Sequence, residues 1–331
     1  MVDQASIADR LVAGEKTALA RLISWAENRD ARFPKALAEI YPNVGRAWRT
    51  GVTGPPGAGK STAVNEMARL LRERGSTVGI LAVDPSSPFS GGALLGDRIR
   101  MEDRTMDDGV FIRSMASRGS HGGLAQASVD ACDVMDAFGL GELIIETVGV
   151  GQAEYVVVSA ADTVVVVLCP GAGDGIQAMK SGLLEVADVL VVNKSDLAGS
   201  ERMLTDLEEA VHIRTAGKEG WSPPVVSCSA GTGVGVEAVL QAIESHRAYL
   251  SEGRLEGVRR QKRIEQVKTV VSEELHEVIW GEQGYTTEVE GLLESEQTPY
   301  DVAARVLSEL LGQISHATIQ ASSPEPGRTS R

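Results

Sequence analysis

The sequence predicts an α/β fold: a mostly parallel sheet flanked by helices, with a helical extension at each end. Three observations lead there. Short β-rich runs alternate with helical patterns over about 200 residues, the signature of strand–helix–strand units. Several of these runs are apolar on consecutive residues, Val164-Val165-Val166-Val167-Leu168 above all, as strands buried on both faces must be. After Tyr249 the β-rich runs stop and only helical periodicity is left.

From Ile7 to about Ile40, the residues Ile7, Leu11, Leu19, Leu22, Ile23 and Ala26 recur mostly at three- and four-residue steps. That spacing predicts helices, with a break at Gly14 and punctuation at Pro34 and Pro42. Residues 1–46 therefore read as an N-terminal helical extension. Strands are predicted at Trp48–Thr53, Thr77–Val83, Val110–Arg113, Leu143–Thr147, Thr163–Cys169, Val189–Asn193 and Val225–Cys228. Between them, helices are predicted at Ser61–Arg74, Leu124–Phe138, Ile176–Ala187, Glu201–Thr215 and Val236–Tyr249. Together these make one α/β domain over 47–250. Beyond it, Leu255, Val258, Ile264, Val267, Val271, Leu275 and Val278 mark one amphipathic helix rich in Arg, Lys and Glu. A second follows Pro299, through Val302, Val306, Leu307, Leu310 and Leu311. Spacing alone leaves two readings of 251–315, helices packed back on the sheet or an oligomerisation arm. The Ser/Pro/Gly/Arg-rich end, 316–331, reads as a disordered tail.

Composition narrows the function classes. With 331 residues, 43% hydrophobic and 24% charged, the chain is an ordinary globular protein. Its net charge of −14 argues against a broad nucleic-acid face, which needs clustered Lys and Arg. The longest apolar run, Val164–Cys169, is strand-sized, so no membrane span is expected. Asp3, Asp9 and Arg10 precede any hydrophobic run, which is no signal-peptide pattern. Cys132, Cys169 and Cys228 are far apart with no CxxC pair, and read as small buried residues in a reducing, cytoplasmic compartment.

The decisive segment is Gly54-Pro55-Pro56-Gly57-Ala58-Gly59-Lys60-Ser61, which fits G-x-x-x-x-G-K-[ST] in full. It follows a predicted strand and opens a predicted helix, the context that makes the pattern a P-loop NTPase site. Glycines let successive backbone N–H groups turn inward around a β-phosphate, and the helix N-terminus adds a favourable dipole. Lys60 supplies a point charge for the β and γ oxygens, and Ser61 a hydroxyl for Mg²⁺.

Asn193-Lys194-Ser195-Asp196 lies 133 residues after Lys60, at the end of a predicted strand. In N-K-x-D loops the Asp carboxylate accepts from guanine N1–H and N2–H₂. Adenine lacks both donors and would leave a buried acceptor unpaired. Asn193, Lys194 and Asp196 therefore predict GTP and GDP as ligands. Ser229-Ala230-Gly231, after the next predicted strand, suits the loop closing over the base. Three acids, Asp84, Asp97 and Glu146, sit at strand ends or in nearby loops. With Ser61 they are candidate Mg²⁺ ligands, direct or through water. Gly149, three residues after Glu146, is placed to sense a γ-phosphate through its N–H. Val150 follows directly and Gln152 comes later, so slow intrinsic hydrolysis is expected.

These blocks resemble the MeaB/ArgK/MMAA family of P-loop GTPases: GPPGAGKST at 54–62, LAVDPSSPFSGGALLGDRIRM at 81–101, ETVGVGQAE at 146–154, PGAGDGIQAMKSG at 170–182 and NKSD at 193–196. The resemblance covers about residues 5–315. It implies a GTP-hydrolysing chaperone that gates delivery of adenosylcobalamin to, and protects, a cobalamin-dependent acyl-CoA mutase, typically methylmalonyl-CoA mutase. It also implies a homodimer through the C-terminal helices, with Mg²⁺ on Ser61, Asp84, Asp97 and Glu146. Thr62 joins the phosphate loop, Lys60, Glu146 and Gly149 become the catalytic set, and Asp174, Gln177 and Lys180 fall in the segment coupling nucleotide state to the mutase. One departure stands out: Gly175-Ile176 precede Gln177, where family members serving methylmalonyl-CoA mutase usually carry an acid and a leucine. A related mutase, acting on isobutyryl- or 2-hydroxyisobutyryl-CoA, is therefore an alternative partner. No D-x-H-x-x-G cobalamin motif is present, so the cobalamin is expected on the partner. Two other readings stand beside this one, a metal-insertion GTPase for a nickel enzyme and an ArgK-type transport-linked kinase. His121, His212, His246, His276 and His316 are scattered, unlike a metal-rich tract.

Overall fold

The computed structural model describes residues 5–84, 107–116, 121–147, 153–171, 182–281, 285–293 and 297–321. The chain divides into two units, one through Val267 and one from Lys268.

In the first unit, helices α1 (Ile7–Val12), α2 (Lys16–Glu27) and α3 (Phe33–Ile40) come before strand β1 (Trp48–Thr53). The first is started by a capping box: Ser6 Oγ accepts from the Asp9 N–H at 3.1 Å, and Asp9 Oδ2 from the Ser6 N–H at 3.0 Å. Then come α4 (Lys60–Glu73), β2 (Val78–Asp84), β3 (Val110–Ala116), α5 (His121–Phe138), β4 (Glu142–Thr147), α6 (Ala153–Ala160) and β5 (Thr163–Leu168). The unit continues with α7 (Leu183–Val186), β6 (Val189–Val192), α8 (Ser200–Thr215), β7 (Val225–Ser227), α9 (Val236–Ser251) and the start of α10 (Leu255–Trp280).

The seven strands form one sheet in the order β3-β2-β4-β1-β5-β6-β7, and every pairing is parallel. Side-chain alternation explains why the strand sequences are apolar throughout. Val164, Val166 and Leu168 of β5 join a core under α1–α3, α5 and α6, while Val165 and Val167 join one under α4 and α9. The N-terminal helices share the first core through Leu11, Leu19, Leu22, Ile23 and Ile40.

Strand order reverses at β1: β2 lies beyond β4 on one side and β5 on the other. In open α/β sheets a crevice forms there, outside the carboxyl ends of the strands. The amino ends of the strands carry a network of buried charge. The Asp136 carboxylate accepts from the N–H groups of Gly45, Arg46 and Ala47, and Arg49 pairs with Asp133 at 2.6 Å.

At the same end of the sheet His246 is buried, with Nδ1 2.9 Å from Thr163 Oγ1. Burial holds its imidazole below the ordinary value, with Asp188 opposing. A depressed folded-state pKa contributes stability that is present above the unfolded value and lost as pH falls through the folded one. Acidification from about pH 7.5 to 5 is therefore expected to lower the melting temperature. His246→Gln, which keeps a hydrogen-bonding group near Thr163, should flatten that part of the curve in thermal melts.

Two predicted elements differ. No helix is predicted between the fourth and fifth strands, yet α6 lies there. Its Tyr155-Val156-Val157-Val158 run has β-strand character, and tertiary packing overrides the propensity. The helix predicted at Ile176–Ala187 is described only as the single turn α7, with 172–181 outside the described residues.

The second unit holds the rest of α10, α11 (Thr286–Leu293) and α12 (Pro299–Ala321). Helix α12 ends at Ala321, and 322–331 lie outside the described residues. Among the described residues no helix is long and apolar enough to cross a membrane.

Candidate nucleotide site

The P-loop leaves the carboxyl end of β1 at the reversal point. Gly54 has φ 139°, and a Cβ there would sit 2.0 Å from the Val167 carbonyl oxygen of β5. Only glycine permits that approach. Gly54→Ala is therefore expected to cost about 3 kcal/mol or more in chemical denaturation. Gly57 and Gly59 also have positive φ, at 74° and 89°. Pro55 and Pro56 have no N–H, so the donors for a phosphate come from residues 57–62 and the first turn of α4. Lys60, the first residue of α4, is buried and donates to the carbonyls of Gly54 at 2.8 Å and Pro55 at 3.1 Å. Its ammonium thus lies across the loop that its own helix terminates.

The base loop is stitched to the P-loop. Asn193, directly after β6, donates from Nδ2 to the Ala58 carbonyl at 2.8 Å and accepts at Oδ1 from the Ala230 N–H at 3.0 Å. A Cβ on Gly59 would lie 2.3 Å from the same Nδ2. Lys194, held at φ 58°, donates to the Gly57 carbonyl at 2.7 Å. The exposed Asp196 carboxylate accepts from Ser229 Oγ at 2.5 Å, and this hydrogen bond holds it below the usual carboxylate range. Asn193, Lys194, Asp196, Ser229 and Ala230 are thus brought together with Gly57, Ala58 and Gly59, and Gly231 follows in the same loop.

At the adjoining strand ends, Ser61 Oγ donates to Glu146 Oε1 at 2.5 Å. Asp84 ends β2 next to β4, one residue past the Val83–Thr147 register pair. Both acids are buried. A hydroxyl and carboxylates are hard oxygen donors, the set that suits Mg²⁺, which takes few protein ligands and keeps several waters. Among the described residues no group of three or more His, Cys, Asp or Glu is arranged to hold a metal ion. Asp97, Gly149, Asp174, Gln177 and Lys180 lie outside the described residues.

All three cysteines are buried, as the sequence leads one to expect, and two of them also lie beneath this site. Cys169 Sγ is 3.8 Å from the Gly57 carbonyl, and Cys228 Sγ is 3.5 Å from Asn193 Oδ1. Burial pushes the Cys228 thiol up to about 11, so it serves as a neutral donor. Their positions at the ends of β5 and β7 were the available signal.

The family model described as methylmalonyl Co-A mutase-associated GTPase MeaB matches residues 19–284. A protein of Pyrococcus abyssi is 42% identical over 94% of this chain and 98% of its own length. The GTPase ArgK of Escherichia coli is 37% identical over 83% of this chain and 86% of its own. A crystal structure described as a LAO/AO transport system kinase superposes with TM-score 0.72 at 28% identity, covering 94% of this chain and 99% of that one.

Proposed function

The chain belongs to the MeaB family of methylmalonyl-CoA mutase-associated GTPases, and from that premise we propose that it is a Mg²⁺-dependent GTPase chaperone acting in the cytoplasm. In this reading it gates adenosylcobalamin delivery to a cobalamin-dependent acyl-CoA mutase and protects that enzyme. The partner is methylmalonyl-CoA mutase or a relative acting on isobutyryl- or 2-hydroxyisobutyryl-CoA, and it carries the cobalamin. The observation that carries the nucleotide part is the pair of hydrogen bonds from Asn193 and Lys194 to Ala58 and Gly57. They join the P-loop to the Asn193–Asp196 loop, which supports reading the two as one nucleotide site.

The N–H groups of 57–62 would cradle the β-phosphate, and Lys60 would turn its ammonium from the Gly54 and Pro55 carbonyls to the β and γ oxygens. Asp196, oriented by Ser229, would accept from guanine N1–H and N2–H₂, with Ala230 and Gly231 closing over the base. Ser61 and Glu146 would hold Mg²⁺, with Asp84 and Asp97 acting directly or through water. When bound, the ion neutralises charge developing between the β and γ phosphates. Gly149 would order its loop on the γ-phosphate, and Asp174, Gln177 and Lys180 would pass that state to the mutase. With Val150 following Gly149, intrinsic turnover should lie below about 1 s⁻¹.

Homodimerisation through the C-terminal helices belongs to the same proposal. Its support is the exposed apolar series Val271, Leu275, Val278, Leu307 and Leu311. A second reading, a transport-linked kinase, is favoured only by the description of the matched crystal structure. Titrating the purified protein with candidate mutases separates the two. A severalfold rise in GTP turnover with one mutase supports the chaperone and names its partner, whereas turnover indifferent to every mutase withdraws that role.

A further inference from the structure

Helix α6 is gripped at its C-terminal end by a residue that no motif points to. Lys262, two turns into α10, donates its ammonium to the carbonyl of Val158 at 2.7 Å and to that of Ala161. Carbonyls at a helix C-terminus lack intrahelical partners and carry the negative end of the helix dipole, so a cation is favoured there. One turn earlier Arg259 pairs with Asp162 through Nε at 2.8 Å and Nη2 at 2.6 Å. The same guanidinium donates to the carbonyls of Gly45 and Ala47, which lead into β1. The Arg49 N–H of β1 completes the joint by donating to Asp162 Oδ2 at 3.1 Å.

A separate observation fixes the other side of α6. Gly51 lies in β1, three residues before Gly54. A Cβ at Gly51 would be 2.2 Å from Val157 Cγ1 and 2.9 Å from Ala161 Cβ. The helix therefore rests directly on the strand that delivers the P-loop. It also follows β4, whose carboxyl end holds Glu146. Interdigitated packing of this kind transmits displacement rather than absorbing it.

We propose that Lys262 is a positioning residue for GTP hydrolysis, fixing α6 on β1 and coupling the Glu146 end of the site to the first turns of α10. This rests on the GTPase reading above. Lys262 acts through α6 and touches no nucleotide. Burial lowers the ammonium below its ordinary pKa, with Asp162 and Asp188 opposing. An apolar side chain would fill the space without desolvating a charge. What the lysine adds is a directional hold on two carbonyls.

The test compares wild type, Lys262→Met and Lys262→Arg in steady-state turnover, nucleotide affinity and hydrogen exchange. For Lys262→Met we expect kcat to fall roughly tenfold, within the range of typical coupling energies, while KM and GDP affinity stay within about twofold. Lys262→Arg, whose guanidinium can reach the same carbonyls, should recover most of kcat. In wild type, exchange differences between GDP and a non-hydrolysable GTP analogue should extend from 153–161 into 255–263, and in Lys262→Met they should stop at α6. A folded Lys262→Met with wild-type kcat and exchange would overturn the inference. So would a loss of kcat and nucleotide affinity together, in step with melting temperature. If Lys262→Met does not fold, Gly51→Ala displaces α6 from the strand side and is expected to reproduce the fall in kcat; wild-type kcat there also overturns it. Wild-type protein with no GTP turnover would instead defeat the GTPase reading and the hydrolytic role of Lys262 with it, and the exchange comparison would then decide only whether Lys262 couples α6 to α10.

Discussion

Replacing Lys60 with alanine is expected to lower GTP turnover by about 10²–10³-fold, the usual cost of losing one preorganised donor to developing transition-state charge. The lysine is buried at the start of α4 and already aimed across the loop at the Gly54 and Pro55 carbonyls. Moving to a phosphate oxygen requires only a change of acceptor. Alanine is a strong helix former, so α4 should persist, and a thermal melt beside the kinetics separates lost chemistry from lost fold. Turnover in Lys60→Ala within about tenfold of wild type would mean that the measured activity arises elsewhere.

The second large effect concerns the base. Asp196→Asn should weaken GTP binding by roughly 10²–10⁴-fold, because a site built for two donors then meets them with one acceptor and one N–H₂ group. The same amide suits xanthine, whose C2 oxygen accepts where the guanine amine donates. Xanthosine triphosphate should therefore bind the variant better than GTP does. Ser229 sharpens this expectation, since its hydroxyl donates to the native carboxylate at 2.5 Å and holds its orientation. Competition between the two nucleotides for a fluorescent analogue gives the ratio directly, and an unchanged preference for GTP would show that Asp196 does not read the base.

Much of this site was legible in the sequence because each loop is a contiguous motif at a strand end. Gly54–Ser61 and Asn193–Asp196 carry their geometry in their residue types: glycine where φ is positive, lysine at a helix start, and an amide that bridges two loops. The apolar runs of β5 and β6 likewise announce burial on both faces. What was not legible depends on distant partners. Tyr155-Val156-Val157-Val158 looks like a strand, and becomes α6 because Gly51 offers it a smooth strand surface and Lys262 satisfies its last carbonyls. Nothing in the spacing of the Arg-, Lys- and Glu-rich helix singles out Arg259 and Lys262, yet both enter the joint around Asp162. Cys169 and Cys228 look inert in a list of spacings, and only the fold sets them beneath Gly57 and Asn193.

If the proposed function holds, the P-loop and the Asn193–Asp196 loop form one guanine-specific, Mg²⁺-dependent catalytic site. Turnover of GTP and ATP by the purified protein, measured in parallel with Mg²⁺ and with excess chelator, tests it most directly. Slow hydrolysis of GTP that stops on chelation is expected, with ATP at least about a hundredfold poorer in kcat/KM. Equal or faster turnover of ATP would contradict the role given to Asp196.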